Sequence, residues 1–218
     1  MQAIEFKILN EDVGLATKSW IWPQGDDKTV CCFEHVYDID EWARHCKGFD
    51  VAVQAGGAMG VFPLKLSTVF NRVYTFEPNP ESYFCLVENC RADNVIAKHG
   101  ALSNVHKTVS IERSIGERRN YGAGYIVDDA DGVDTYLIDE LDLTACDLIC
   151  LDVEGAELDA LKGGEQTIKK FKPLIVLEDK PLPHMGIFGR GVGDPGKWLA
   201  QFGYKRIAKH RWDSVYSC

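Results

Sequence analysis

Apolar residues fall along this chain in short solid runs, with polar or glycine-bearing turns between them. Val51-Ala-Val53, Val73-Tyr-Thr-Phe76, Val95-Ile-Ala97, Val133–Tyr136, Leu148-Ile-Cys-Leu151 and Leu174-Ile-Val-Leu177 are such runs. Solid β-rich runs predict strands buried on both faces, as in a parallel sheet. Between them the spacing shifts to that of helices. Val61, Phe62, Leu64, Leu66, Val69 and Phe70 predict a helix packed on the sheet. Asn79 is placed as an N-cap with Pro80 at the first helical position. Tyr83, Phe84, Leu86, Val87 and Cys90 form the apolar stripe expected of that helix. Further helices are predicted near Asp40–Cys46, Ala156–Leu161 and Trp198–Phe202. Val105–Ile111 reads as an extra strand, and two close-set strands near Tyr204–Ala208 and Ser214–Tyr216 end the pattern. Alternating strands and helices predict an α/β, doubly wound, mostly parallel sheet with right-handed crossovers. The final pair predicts an antiparallel C-terminal hairpin at one edge.

The first of these strands runs directly into Gln54-Ala-Gly-Gly-Ala-Met-Gly60. Side chains at Gly56, Gly57 and Gly60 would block a ligand from the backbone. The second strand ends in a carboxylate, Glu77. A glycine turn after one strand and an acid after the next is how a doubly wound sheet holds an adenosine-type ligand, the acid taking the ribose hydroxyls. The dinucleotide pattern G-x-G-x-x-G would need glycine at position 55, which is Ala55. An acid-x-Gly-x-Gly-x-Gly spacing, typical of S-adenosylmethionine (SAM) sites, fits better through Gln54, Gly56, Ala58 and Gly60. Strand order and closing hairpin together describe the seven-stranded class I methyltransferase sheet, a Rossmann-like fold.

Composition narrows the picture further. Twenty-four Lys and Arg against 33 Asp and Glu give a net charge of −9, which disfavours nucleic acid as a partner because phosphate needs neutralising. No apolar stretch reaches the roughly 18 residues of a membrane span, and the first residues lack a signal-peptide pattern. A cytoplasmic protein is therefore expected. The eight cysteines form no C-x-x-C pair and the six histidines show no ligand spacing. Reduced thiols are expected, and no structural metal is assigned.

The stretch Asp147-Leu-Ile-Cys-Leu-Asp-Val-Glu-Gly-Ala-Glu-Leu-Asp-Ala-Leu-Lys-Gly-Gly164 carries the strongest likeness. It resembles the FkbM family of SAM-dependent methyltransferases, whose pattern is roughly D-x-I-K-x-D-x-E-G-x-E-x-x-x-L-x-G-A. Val53–Gly60 resembles the family's V-D-V-G-A-N-x-G turn. Phe76-Glu-Pro-Asn-Pro80 resembles its F-E-P-x-P, and Ala101-Leu-Ser-Asn104 its A-L-S-[DN]. The Gln-Ala-Gly-Gly variant also resembles phage-encoded members. The resemblance implies a SAM-binding domain over residues 49–218, preceded by an N-terminal extension, 1–48, packed on the core. It implies SAM as cofactor and O-methylation of a small-molecule or glycan hydroxyl. Three departures stand out. Gln54 replaces the acid that commonly meets the methionine amino group, Ala58 replaces an Asn, and Cys150 replaces a Lys.

On this reading the cofactor lies against Gln54, Gly56, Gly57, Gly60, Glu77, Asn79, Leu102, Ser103 and Asp152. Leu102 and Ser103 sit where the family's adenine-edge loop lies. Asp152 ends a central strand and faces the methionine amine or the acceptor. Asp152, Glu154 and His184 are the candidate catalytic groups, since a hydroxyl acceptor must lose its proton as it attacks. Glu157, near a helix N-terminus, suits a structural role as well as a catalytic one. The acids Asp152, Glu154, Glu178 and Asp179 are oxygen donors of the kind Mg²⁺ takes, but no metal is assigned. The segments Asn120–Gly124 and Lys180–Gly196 are glycine-bearing, and the second is long enough for a lid over the acceptor. Two rivals remain: a non-catalytic SAM- or nucleotide-binding protein, encouraged by Gln54 and Ala58, and an NAD-type oxidoreductase, disfavoured by Ala55.

Overall fold

The computed structural model describes residues 5–113, 120–181 and 191–218. A hairpin of β1 (Phe6–Asn10) and β2 (Ser19–Pro23) opens it, followed by a 3-10 turn and two short helices, α1 (Cys32–His35) and α2 (Asp38–Ala43). Next come β3 (Val51–Ala55), α3 (Val61–Ser67), β4 (Arg72–Glu77), α4 (Pro80–Asn89) and β5 (Val95–His99). Four short strands follow: β6 (Ala101–Leu102), β7 (Thr108–Arg113), β8 (Gly124–Asp128) and β9 (Val133–Tyr136). The chain then re-enters the main sheet with β10 (Leu148–Leu151), α5 (Glu157–Lys162), α6 (Glu165–Phe171) and β11 (Leu174–Glu178). It closes with α7 (Asp194–Ala200), β12 (Lys205–His210) and β13 (Asp213–Ser217).

The main sheet has seven strands in the order β12-β13-β11-β10-β3-β4-β5. The five from β11 to β5 are parallel, and β13 and β12 join antiparallel. This is the expected doubly wound α/β sheet with its C-terminal hairpin. Every residue of β3 and of β10 is buried, which is why both read as unbroken apolar runs. Alternate residues feed two cores: Ala52, Leu148 and Val176 on one face, Val53, Ile149 and Ile175 on the other. Chain order reverses between β3 and β10, so a crevice opens at their carboxyl ends. The small strands make a separate four-stranded sheet, β6-β9-β7-β8.

The N-terminal hairpin docks on α4 through one polar residue. Asn89 Oδ1 accepts from the Ile21 N–H at 2.7 Å, and Nδ2 donates to the carbonyls of Ile21 (2.9 Å) and Met59 (2.8 Å). The buried face of α4 overlaps the expected stripe at Leu86 and Cys90 but differs elsewhere. Ser82, Cys85, Leu86 and Asn89 face inward, whereas Phe84 and Val87 are exposed. β8 and the β1–β2 hairpin are not among the strands that the hydrophobic pattern predicts. The last helix also begins earlier than expected, at Asp194, because Gly193 turns left-handed (φ 82°) and Pro195 sits in the first turn. The 180–196 segment is shortened accordingly, and Gly196 lies inside the helix. No helix among the described residues is long and apolar enough to cross a membrane.

Candidate active site

The glycine turn is tied to both neighbouring strands. The N–H groups of Gly56 and Gly57 donate to the Phe76 carbonyl at 3.1 and 3.0 Å. A Cβ on Gly56 would collide with the Asp152 carbonyl oxygen, so glycine here lets the β3 turn close against the end of β10. Gly57 and Gly60 have a different task. A Cβ on Gly57 would press on Thr75 and Leu86, and one on Gly60 on Leu86 and Cys90. Both let α3 and α4 approach, and neither lines the crevice.

Glu77 is buried at the end of β4. Its Oε2 accepts the Ala58 N–H at 2.7 Å and its Oε1 the Asn79 N–H at 2.8 Å. Two backbone donors thus aim the carboxylate before any ligand arrives. The Asn79 side chain caps α4, accepting from the N–H groups of Glu81 and Ser82, both at 3.0 Å. Gln54 lines the crevice, but its amide is engaged: Oε1 accepts from the Thr75 hydroxyl and Nε2 donates to the Gly56 carbonyl at 2.9 Å. It braces the glycine turn where the family pattern has a charge. Leu102 lines the crevice. Ser103 does not; it is buried, and its N–H donates to Tyr136 O at 2.9 Å.

Past β10 the chain makes a tight turn with Glu154 (φ 51°) and Gly155 (φ 102°) both left-handed. A non-glycine residue held this way is strained, and such strain clusters at functional sites. The turn is stabilised by Glu157, whose Oε1 accepts from the N–H groups of Val153 (3.1 Å) and Gly155 (3.2 Å). Burial pushes the Glu157 carboxyl up to about 7. Glu157 is a buried clamp outside the crevice. Its partner in the motif, Glu154, points inward beside Asp152 and Glu178, with carboxylate oxygens of the three within 4.8 Å of one another. A cation already serves this group. Lys180 Nζ lies 3.1 Å from Glu154 Oε1 and 2.7 Å from Glu178 Oε2. Burial and the Asp152 charge push Glu154 up to about 7 and Glu178 up to about 10, with Lys180 opposing both. Burial works against the Lys180 charge, but Glu178 and Glu154 outweigh it and hold the ammonium above its ordinary range. Asp179 points away, accepting the Gly193 N–H at 2.8 Å.

These groups line a cavity of about 360 Å³, within the range usual for small-molecule sites. Gln54, Gly56, Glu77, Asn79, Leu102, Asp152 and Glu154 all border it. The candidate His184 lies outside the described residues. The rest of the lining is announced by no sequence motif. It comes from the N-terminal segment, with Lys28, Thr29, Cys31 and His35, and from the hairpin tip, with Arg211, Trp212 and Asp213, the last paired with Glu178 on the main sheet. The N-terminal segment is latched to the loop at 120–124, which also borders the cavity. Thr29 Oγ1 accepts the Gly122 N–H at 2.9 Å and lies 3.1 and 3.2 Å from Asp26 Oδ1 and Asn120 Oδ1, to one of which it donates. Asp26 is itself buried and held by the Trp22 indole N–H at 2.7 Å. A lone Thr or His in a polar stretch gives no periodic signal, so only docking reveals this wall.

The pattern of the methyltransferase FkbM domain matches residues 65–205, well over half of the 218. The chain belongs to the FkbM methyltransferase family. No curated protein matches it in sequence. Among solved structures it is similar to the methyltransferase FkbM from Methylobacillus flagellatus KT. There the identity is 17%, the TM-score is 0.51, and the match covers 88% of this chain and 55% of that one. It is also similar in fold to wild-type Trm5b from Pyrococcus abyssi, with 12% identity, a TM-score of 0.51 and coverage of 99% and 55%. The chain thus spans about half the length of each. The FkbM match includes Glu77, Asp152, Glu154 and Glu178 but neither Lys28–His35 nor Arg211–Asp213. The glycine turn with Gln54 and Gly56 also precedes the match, whereas the 120–124 loop lies within it, so the lining is drawn partly from the matched region and partly from segments on either side of it.

Proposed function

We propose that this protein transfers the SAM methyl group to a hydroxyl of a small molecule or glycan. The observation that carries the reading is the pre-aimed Glu77 carboxylate at the end of β4, next to the switch point between β3 and β10, bordering the cavity. The donor chemistry suits the cofactor: Glu77 would accept the two ribose hydroxyls, Leu102 would flank the adenine, and Asp152 would offer negative charge to the methionine ammonium. SAM supplies an already activated methyl, so much of the rate comes from holding the acceptor oxygen in line with it. The N-terminal wall and the 120–124 loop hold the acceptor. A non-catalytic SAM binder is the second reading. It is favoured by Gln54, which braces the turn and brings no charge to the amine.

Two measurements separate these. Calorimetry should detect SAM and S-adenosylhomocysteine but not NAD, and Glu77→Ala should weaken SAM by about 1.5–3 kcal/mol through loss of a charge-assisted hydrogen bond. Unchanged affinity in that variant would remove Glu77 from the cofactor site. A screen of methyl glycosides and hydroxylated small molecules with methyl-labelled SAM tests turnover. SAM binding with no labelled product would favour the non-catalytic reading.

A further inference from the structure

The acceptor hydroxyl must lose a proton, and most carboxylates in the cavity are committed elsewhere. Glu77 is held by two backbone N–H groups, and Glu154 and Glu178 are gripped by Lys180. His35 is different. It stands at the end of α1 on the wall facing Asp152, bordering the same cavity. Its backbone is well anchored. Phe33 packs against Trp20 and Trp22, with ring centroids 5.1 and 5.3 Å apart, and Val36 and Ile39 are buried in the same core. The helix thus turns its apolar side to the core and leaves His35 and Cys31 on the cavity.

Resting on the methyl-transfer reading above, we propose that His35 is the general base that takes the proton from the acceptor hydroxyl. As the O–H bond breaks, its proton passes to the imidazole. The oxygen lone pair forms the bond to the methyl carbon, and the C–S bond breaks with its electron pair going to sulfur. One positive charge leaves the sulfonium as one appears on the imidazole. The net charge held in the acid-lined cavity is therefore the same before and after the step, which needs little electrostatic reorganisation. The surroundings fit both states. Burial and then the Arg211 charge lower the imidazole pKa below 6.5, so the resting ring is neutral and able to accept. Asp38, Glu34 and Asp152 oppose that shift and would favour the imidazolium once formed. Cys31, on the same face, is a poor alternative because burial and Asp152 raise its thiol pKa. Asp213 is the rival. Burial and Asp152 push it up to about 7, leaving it part-protonated at neutral pH. His35 and Asp213 both lie outside the FkbM match, so neither assignment follows from family membership.

The test needs only the nucleosides and the whole chain. Histidine-labelled protein is titrated by NMR with saturating SAM or S-adenosylhomocysteine, and the His35 signal is assigned by its loss in His35→Asn, or in His35→Gln if the first fails to fold. A ring beside the reacting methyl feels the sulfonium, so its titration midpoint should be lower with SAM than with the uncharged thioether by about one unit or more. Equal midpoints with both nucleosides bound overturn the proposal while leaving the SAM reading intact. Binding of neither overturns both. With a methyl glycoside accepted in the screen, His35→Asn should lower turnover by about 10²–10⁴-fold with SAM affinity unchanged. Full turnover in His35→Asn together with its loss in Asp213→Asn would assign the base to Asp213 instead.

Discussion

The two halves of the cavity are built in contrasting ways. The cofactor half hangs on strand ends. Glu77, Gly56 and Asp152 follow directly from β4, β3 and β10, three adjacent parallel strands whose spacing the sheet sets. The N-terminal part of the other half hangs on side chains: an Asn89 clasp, a Thr29 latch, and the packing of Phe33 against two tryptophans, while Arg211–Asp213 rides on the pairing of β13 with β11. A site borne by strand ends can be displaced only by disturbing the sheet. A wall borne by a few side-chain contacts can be rebuilt residue by residue without touching the cofactor scaffold.

The sharpest way to break this contrast is at the seam, where Lys180 joins Glu154 and Glu178. Lys180→Met leaves buried carboxylates without their cation, at a cost of about 3–5 kcal/mol where both are ionised. The sign with pH follows from the raised carboxyl values. Groups that hold protons more tightly folded than unfolded stabilise the fold below about 4.5, and that stability is lost as pH rises through their folded values, about 7 for Glu154 and about 10 for Glu178. The variant's deficit should therefore be small at pH 5, larger at pH 8 as Glu154 ionises, and largest near pH 10 as Glu178 follows, in urea unfolding. An equal deficit at all three would mean that Lys180 is not the counter-charge of this acid pair.

A smaller effect should separate the halves cleanly. Thr29→Val removes one of the two acceptors of the Gly122 N–H, leaving Asn120 Oδ1, and should cost about 0.5–1 kcal/mol. Its signature is selective: a raised KM for a methyl glycoside acceptor, with SAM affinity measured by calorimetry left within twofold. If SAM weakens as much as the acceptor, the wall and the cofactor half are a single cooperative unit. The last effect, of similar size, has the opposite sign. Ala58 is left-handed (φ 44°) while its N–H serves Glu77. Asn tolerates that conformation better than Ala, so Ala58→Asn, the residue of the family pattern, should raise stability by about 0.5–1 kcal/mol. A lower thermal midpoint would show that the space beside Glu77 cannot take the larger side chain.

The same contrast governs what could be read from the residues alone. Solid apolar runs reveal β3, β4, β10 and β11 because a strand buried on both faces has no other composition, and Glu77 follows from its place at a strand end before Pro78-Asn79. The roles within the Asp152–Glu157 motif are less legible. Glu154 enters the cavity and Glu157 clamps the turn beneath it, yet both are acids in one short pattern, and only the left-handed backbone at Glu154 and Gly155 distinguishes them. Three glycines in one turn likewise look equivalent, although Gly56 alone borders the cavity. The apolar stripe of α4 misleads because its inward face carries two polar residues, Ser82 and Asn89, and Asn89 serves the hairpin that docks on it. His35, Thr29 and Arg211 sit in stretches with no period at all, and their meaning depends wholly on contacts made far along the chain.

The wall drawn from Lys28–His35 and from Arg211–Asp213 joins segments separated by nearly the whole described chain. Contacts of such long range are slow to form. On the ribosome, the glycine turn, Glu77 and Asp152 all emerge before the hairpin tip that completes the opposite side. A nascent chain can therefore assemble the Glu77 side of the cavity while the rest still lies open to water. Completion of the cavity then becomes a matter of timing, arriving only when β13 pairs with β11 and carries Arg211–Asp213 into place.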